Sequence, residues 1–397
     1  MSMTNDLPVS WKSAPIFDVA PIVSKLVDPR IAPYNNMILI APDHVKSETG
    51  RLIKRVSARE QNVISGKYLV QQGDVIYSKI RPYLRKVLLA EETCLCSADM
   101  YPLHCSRLIA PDFLKIVLLG SRFTSYANSC SARTGIPKLN RDDMGAFHVP
   151  LPPINEQKAI TNLLSTWDEA IDKTERLIQA KERRFQWLLR DTMSDSAKGN
   201  INNGRKKVAI GSFLTESRIP DTVNDPNKRL TVRLHLKGVE ARDVRGTESS
   251  DATAYFIRKS GQLVYGKQNI FRGAVGIIPP ELDGYASTQD IPAFYIDNTV
   301  DQDWLLFLFS YPGFYKKLEI YASGSGSKRL HSKDLFKIHI SIPNLEAQKK
   351  LADGLSLARS EIDFLKDLTD RYKSQKRGLM QKLLTGQWRV RVDKEVA

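Results

Sequence analysis

Cysteine is scarce in this 397-residue chain and one-sided: Cys94, Cys96, Cys105 and Cys130 all fall in the first half. Cys94-x-Cys96 lacks the two-residue gap of a zinc knuckle, and no second pair follows it, so the four read as free thiols and no metal ligand is assigned. No apolar run approaches the roughly 20 residues that a membrane span needs. The stretch from Met1 to Trp11 is polar and lacks the apolar core of a secretory signal. A soluble, cytoplasmic chain is expected. Catalytic signatures are missing as well. Gly199 to Lys206 has the glycine spacing of a phosphate loop, but Arg205 stands where Lys belongs and no Ser/Thr follows to hold magnesium. Gly324-Ser325-Gly326 lacks the third glycine and the following helix of a dinucleotide site. There is no nucleophile elbow, no His-Glu-x-x-His and no Asn/Asp-Pro-Pro-aromatic motif. No catalytic residue is assigned, and no cofactor is expected on the chain itself. Acidic residues are also in the minority: 44 against 59 Lys and Arg, for a net charge of +15 and a pI near 9.5. Such an excess suits a polyanionic partner, most often nucleic acid.

What the chain does have is itself, twice. Gln157 and Gln348 lie in matching stretches, Pro152-Pro153-Ile154-Asn155-Glu156-Gln157-Lys158 and Pro343-Asn344-Leu345-Glu346-Ala347-Gln348-Lys349, and 348 minus 157 gives a shift of 191. The same shift superimposes Gly135 on Gly326, Leu139 on Leu330, Asp143 on Asp334, His148 on His339 and Leu188 on Leu379 without a gap. Upstream, Gly73, Tyr77 and Lys79 match Gly261, Tyr265 and Lys267 at 188. A period this long is not a solenoid repeat but a domain plus a helix copied once. His148 and His339 each follow an alternating run and read as structural or phosphate-facing.

The expected organisation is a globular unit over 1–150, a central helix over 151–195, a linker over 196–206, a second globular unit over 207–342, a distal helix over 343–388 and a tail over 389–397. The chain as a whole reads as α+β, its two globular units as α/β, with short β-rich runs such as Asp74 to Tyr77 and Gln262 to Tyr265 between Gly- and Pro-marked turns, and a helical patch from Pro111 to Tyr126. In the first helical segment Ile160, Leu164, Trp167, Ile171, Thr174, Ile178, Lys181, Phe185, Leu188 and Thr192 fall at steps of four and three. In the second, Leu351, Leu355, Ala358, Ile362, Leu365, Thr369, Tyr372, Lys376, Leu379 and Leu383 keep the same rhythm. A heptad seam faces a partner helix rather than drifting at 3.6 residues per turn. Helices of about 35 to 40 residues, roughly 55 Å long, need each other. A short linker and a whole domain between them favour an antiparallel pair, with Ile160 near Leu383 and Leu188 near Leu355, and a pseudo-two-fold axis across the rod.

Residues of the DNA-reading kind recur at matching places. Tyr77, Lys79, Arg81, Tyr83 and Arg85 crowd one strand and its loop, and Arg133, Lys138 and Arg141 precede the first helix. Lys267, Gln268, Asn269 and Arg272, then Lys328, Arg329 and Lys333, do the same in the second half. Lys and Arg neutralise phosphates, while Arg, Asn and Gln can pair with base edges. Surface loops also carry such charge for solvation alone, so each residue is a candidate by type and place.

The run Pro152 to Ile160, echoed from Ile342-Pro343, closely resembles the specificity subunit of type I restriction-modification enzymes. The ending Gln381-Lys382-Leu383-Leu384-Thr385-Gly386 with Trp388-Arg389-Val390 looks like that family's usual terminus, and Leu7-Pro8 with Trp11-Lys12 is similar to its opening. The resemblance implies two target-recognition domains joined by an antiparallel coiled coil, each reading half of a split DNA sequence while the rod sets the spacer. It implies a non-catalytic subunit flanked by two modification subunits, which carry S-adenosylmethionine and methylate adenine, and two restriction subunits, which use ATP and Mg. The recognition subunit of a type IIB-like system has a similar architecture, and a coiled-coil scaffold with incidental charge is a third reading. Asn344 in place of the second proline, Ala347 in place of Glu156, and Gly354 and Gly378 in the distal helix depart from the family's pattern.

Overall fold

The computed structural model describes residues 7–22, 25–131, 135–201, 204–243, 254–324 and 326–391. The chain divides into two compact units, one of residues 1–174 with 368–397, the other of residues 175–367. Two long helices, Ile154–Lys198 and Leu345–Leu384, each give one stretch to each unit. Among the described residues no helix is long and apolar enough to cross a membrane.

In the first unit a three-stranded antiparallel sheet has Val75–Ser78 at its centre, between Met100–Leu103 and Val87–Leu89. Val75 and Tyr77 enter the core shared with the helices, while Ile76 enters a second core beneath a four-stranded sheet. Both faces are therefore covered, which is why the strand reads as a continuous apolar run. Gly73, at φ +88°, turns the chain into that strand, a conformation in which a side chain would be strained. Gly261, at φ +81°, does the same before Leu263–Tyr265 in the second unit. There a four-stranded sheet orders Leu214–Ser217, Ala293–Ile296, Leu263–Tyr265 and Val275–Ile277. The helical patch expected over Pro111 to Tyr126 is two helices, Pro111–Leu119 and Ser121–Ser131, broken at Gly120.

The shared motif at the head of each long helix is a structural pin. Gln157 is fully buried; its Oε1 accepts from the Ala110 N–H at 2.8 Å, and its Nε2 donates to the carbonyls of Leu108 and Pro152, both at 2.9 Å. Gln348 repeats this with the Asp301 N–H at 2.8 Å, the Thr299 carbonyl at 3.3 Å and the Pro343 carbonyl at 2.9 Å. Each carboxamide thus ties a helix start to the loop before Pro111–Leu119 or Gln302–Ser310. Asn344 has its own work: its Oδ1 caps the distal helix by accepting from the Ala347 N–H at 2.8 Å. Glu156, by contrast, holds the chain ends of the first unit. It accepts from Trp11 Nε1 at 3.1 Å and from Arg389 Nη2 at 2.8 Å. Its counterpart Ala347 has no such ends to hold.

Within each unit the helix stretches run antiparallel. In the first, Ile160 and Leu164 share a core with Leu383, Trp167 meets Tyr372 edge-on at 5.9 Å, and Lys376 pairs with Asp168 at 2.5 Å. In the second, Leu188 and Leu355 share a core, Lys181 pairs with Glu361 at 2.6 Å and Lys366 with Glu182 at 2.7 Å. Every seam residue named above that carries a large apolar side chain is buried or half-buried. Two expectations change. Near its end the central helix buries Leu189, Met193 and Ala197 more deeply than Leu188 and Thr192, because it leaves the helix pair to pack on the globular core and returns to the straight-helix period. The linker is also shorter: Ser196 to Lys198 are helical, the helix ends at Gly199 with φ +72°, and Lys206–Ala209 already pairs with His339–Ile342.

Candidate nucleic-acid interface

In both units the loop before the last strand folds back onto the residue just beyond the end of Val75–Ser78 or Leu263–Tyr265, Lys79 or Lys267. Lys79 donates its N–H to the Asp99 carbonyl at 3.0 Å and accepts from the Leu139 N–H at 2.9 Å. Lys267 donates to Asp290 at 2.9 Å and accepts from Leu330 at 2.9 Å. The carbonyl of that same leucine takes a tyrosine hydroxyl, from Tyr101 at 3.2 Å or from Tyr265 at 3.1 Å. The two basic clusters of each half, far apart in sequence, are thereby joined into one platform per unit.

On the first platform Arg81 sits at φ +49°, its N–H donating to the Pro137 carbonyl at 2.8 Å. Arg81 and Arg85 bracket a single 3-10 turn, Pro82–Leu84, that presents Tyr83 half-exposed to solvent. Lys138 and Arg141 are exposed; Arg141 Nη2 donates to the Tyr68 hydroxyl at 2.8 Å, and its guanidinium lies 5.9 Å from the Tyr101 ring centre. Lys79 Nζ donates to the Ala98 carbonyl and lies 5.3 Å from the same ring. Burial, and then Lys138, push its ammonium below the usual lysine range.

Some candidates are not surface groups. Tyr77 is 1% exposed, its ring edge-on to Phe123 at 5.2 Å and its hydroxyl without a protein partner. It is a core residue, because the central strand is covered on both faces, and the DNA-contact reading of its side chain is withdrawn. Arg85 is half-buried with its Nε enclosed and its Nη1 3.8 Å from Glu48. Arg133 lies outside the described residues.

On the second platform Lys267 is half-buried. Burial pushes its pKa down while Asp290 and Glu216 oppose the shift. With its amide turned so that the oxygen faces the guanidinium, Gln268 accepts from Arg329 Nε at 3.0 Å and Nη2 at 2.6 Å. Arg329 Nη2 also lies 3.8 Å from Asp290, and Lys328 pairs with Glu319 at 2.9 Å. The backbone carbonyl of Asn269 accepts from the Arg272 and Ala274 N–H groups, and its side chain is half-buried. Arg272 and Lys333 are exposed.

Reading the sequence missed Tyr68 and Tyr101, which hold Arg141 and Lys79 in place from strands distant in sequence, and Asp290, whose carboxylate lies 3.8 Å from Arg329. No local signal marks them. Cys94 and Cys96 are buried in one strand, and burial raises the Cys94 thiol to about 12. His148 and His339 are both exposed, each Nδ1 bonding the carbonyl two residues earlier.

A family model for the type I restriction modification DNA specificity domain matches residues 8–182 and 274–371. The type I restriction enzyme EcoDI specificity subunit of Escherichia coli is 34% identical over 195 residues, 49% of this chain and 43% of that protein. The chain thus spans under half of that relative's length. The MjaVIII specificity subunit of Methanocaldococcus jannaschii is 20% identical over 361 residues, 85% of this chain and 84% of that protein. Among solved structures, a chain of a type I R-M system matches with TM-score 0.66 at 17% identity, over 96% of this chain and 99% of its own. The HsdS subunit from Thermoanaerobacter tengcongensis matches with TM-score 0.54 at 18% identity, over 97% of this chain and 99% of its own. At such identities the structural likeness speaks to the fold alone.

Proposed function

The chain belongs to the family of type I restriction-modification DNA specificity subunits, and on that footing we propose that it supplies the sequence recognition of such a complex and none of its catalysis. Each globular unit reads one half of a bipartite target. The long helices set the spacing between halves and dock two modification subunits, to which two restriction subunits add. S-adenosylmethionine, ATP and Mg belong to those partners. Helix length matters here: one turn adds about 5.4 Å, more than the roughly 3.4 Å of a base step.

The observation that carries the reading is the platform built twice by the same backbone hydrogen bonds at Lys79 and Lys267. A catalytic site has no need of two copies, whereas a split target does. The platforms also differ in the side chains they display, as two different half-sites require. The test is long-read methylation sequencing of cells expressing this chain with its modification subunit, against cells lacking only this chain. Methyladenine at one bipartite motif, lost with the chain, is expected. If the modification protein is expressed and binds S-adenosylmethionine yet no mark depends on the chain, the reading fails.

A further inference from the structure

Beside each platform the shift of 188 repeats a β-hairpin. In the first unit Val45–Lys46 pairs with Arg51–Leu52, and in the second Leu230–Val232 pairs with Val239–Ala241. The shift sets Glu48 against Leu236, Gly50 against Gly238 and Arg85 against Gly273. All six are left-handed: Glu48 and Leu236 at φ +64° and +60°, Gly50 and Gly238 at +66° and +81°, Arg85 and Gly273 at +47° and +79°. Arg85 and Gly273 close the 3-10 turns Pro82–Leu84 and Ile270–Arg272. One backbone bond joins hairpin to turn in each unit. The Glu48 N–H donates to the Arg85 carbonyl at 3.2 Å, and the Leu236 N–H to the Gly273 carbonyl at 2.9 Å. Left-handed backbone is costly for Glu48, Arg85 and Leu236 and persists only where the surrounding structure imposes it. Between 45–52 and 233–240 only the glycines share identity, so backbone geometry is what the two copies have in common.

The hairpins are fastened to the long helices by different means. In the first unit Arg51 Nη1 donates to Asp172 Oδ1 at 2.5 Å, and Asp172 belongs to the central helix. The two side chains are 38% and 23% exposed, so water screens the pair only in part. In the second unit Leu236 itself packs on the core that holds Leu189 and Leu355 of the long helices. The turn Pro82–Leu84 is thus held at both ends, Arg81 by the Pro137 carbonyl and Arg85 by Glu48. From Arg85 the contacts run on through the hairpin to Arg51 and Asp172. Groups that read base edges must be held to within about 0.5 Å, which a loop achieves only with support from a rigid element.

We propose that the hairpin of residues 45–52 is a strut that positions the turn Pro82–Leu84 against the central helix for reading DNA. Arg51 is its positioning residue, and Leu236 is the counterpart in the second unit. This rests on the DNA-reading function proposed above. A half-exposed ion pair that only added stability would weaken recognition of both half-sites alike, whereas a strut acts on one.

The experiment uses the full chain in complex with its modification subunit. Initial methylation rates are compared on duplexes carrying the methylated motif or a single mismatch in either half. Arg51→Ala and Asp172→Asn should each lower discrimination in one half by about two- to fivefold, the scale of a half-exposed ion pair, and leave the other half unchanged. Arg51→Lys keeps the pair and should keep most of the discrimination. Leu236→Ala should loosen the opposite half. Hydrogen exchange at the Glu48 amide of the free chain reads the strut without DNA, and should quicken about two- to fivefold in Arg51→Ala and Asp172→Asn. Unchanged Glu48 exchange, or unchanged discrimination, overturns the strut. So does an equal effect on both halves, whether loosening or complete inactivity, or Leu236→Ala loosening the same half as Arg51→Ala. Loss with Arg51→Ala but not with Asp172→Asn overturns it too, because Arg51 would then be touching DNA itself. Methylation that never depends on the wild-type chain would instead sink the DNA-reading function.

Discussion

Replacing Gln157 by Leu tests what the shared helix-head motif is for. The side chain is fully buried and spends every polar atom on backbone: one N–H, from Ala110, and two carbonyls, of Leu108 and Pro152. Leucine fills a similar volume, so the packing term is small and the cost is the loss of partners. A buried N–H left unpaired costs about 1–3 kcal/mol, and a carbonyl somewhat less, since its second lone pair finds other donors. Because Leu108 is an exposed residue, its carbonyl can recover water. The expected total is about 3 kcal/mol, roughly a hundredfold in the unfolding equilibrium. Gln348→Leu should cost slightly less in the second unit, where the bond to Thr299 is 3.3 Å.

Urea denaturation measures the global cost, and hydrogen exchange at the Ala110 amide the local one. Gln157→Glu adds a sign. A carboxylate there would face two carbonyls, so its folded pKa is raised above the unfolded value. The protonated form is therefore favoured on folding, and the ionisation penalty is absent below the unfolded pKa and grows as pH rises past it. Gln157→Glu should thus be worse than Gln157→Leu at neutral pH and recover on mild acidification. A loss below about 1 kcal/mol for Gln157→Leu, with Ala110 protection unchanged, refutes the claim that the motif is a structural pin.

Three further outcomes are expected. Glu156→Ala should free the chain ends of the first unit, costing about 2 kcal/mol through lost charge-assisted bonds to Trp11 and Arg389; limited trypsin digestion should then cut faster at Arg389. Tyr77→Phe should leave thermal stability unchanged or raise it, because the hydroxyl has no protein partner, whereas Tyr265→Phe should lose about 1 kcal/mol by orphaning the Leu330 carbonyl. Gly354→Ala and Gly378→Ala should each stabilise by up to about 1 kcal/mol in thermal melts, since an added Cβ meets nothing within 4 Å at either helical site.

How far the repeat could be read shows what the sequence carries and what only folding supplies. The shift of 191 is visible from Gly135 onward because helix heads and seams reuse residue identities. In space it reaches back to Leu108 and Thr299, through Pro111–Leu119 and Gln302–Ser310. There Phe113 is matched by Trp304, Ile116 by Phe307 and Leu118 by Phe309, each buried in its own unit. Volume and apolarity persist where identity has drifted, as a core tolerates. The platforms mix both cases. Lys79 and Lys267 could be paired by eye, and so could the basic runs before each helix. That Tyr77 belongs inside could not, since a strand covered on both faces has no alternation to separate core from surface. The polar stretch from Ser196 to Lys198 misleads for a related reason. It looks like linker, yet Ser196 is fully buried with its hydroxyl taken by Arg205, and Ser341 donates to the Asp195 carbonyl at 3.1 Å. Polar composition signals a loop only when water must satisfy it; here distant residues do. The same logic governs Arg329, basic by type, yet hydrogen-bonded by Gln268 and with Asp290 3.8 Å away. A basic cluster in sequence counts charges, but whether those charges are free to meet a phosphate is decided by carboxylates that only the fold brings near.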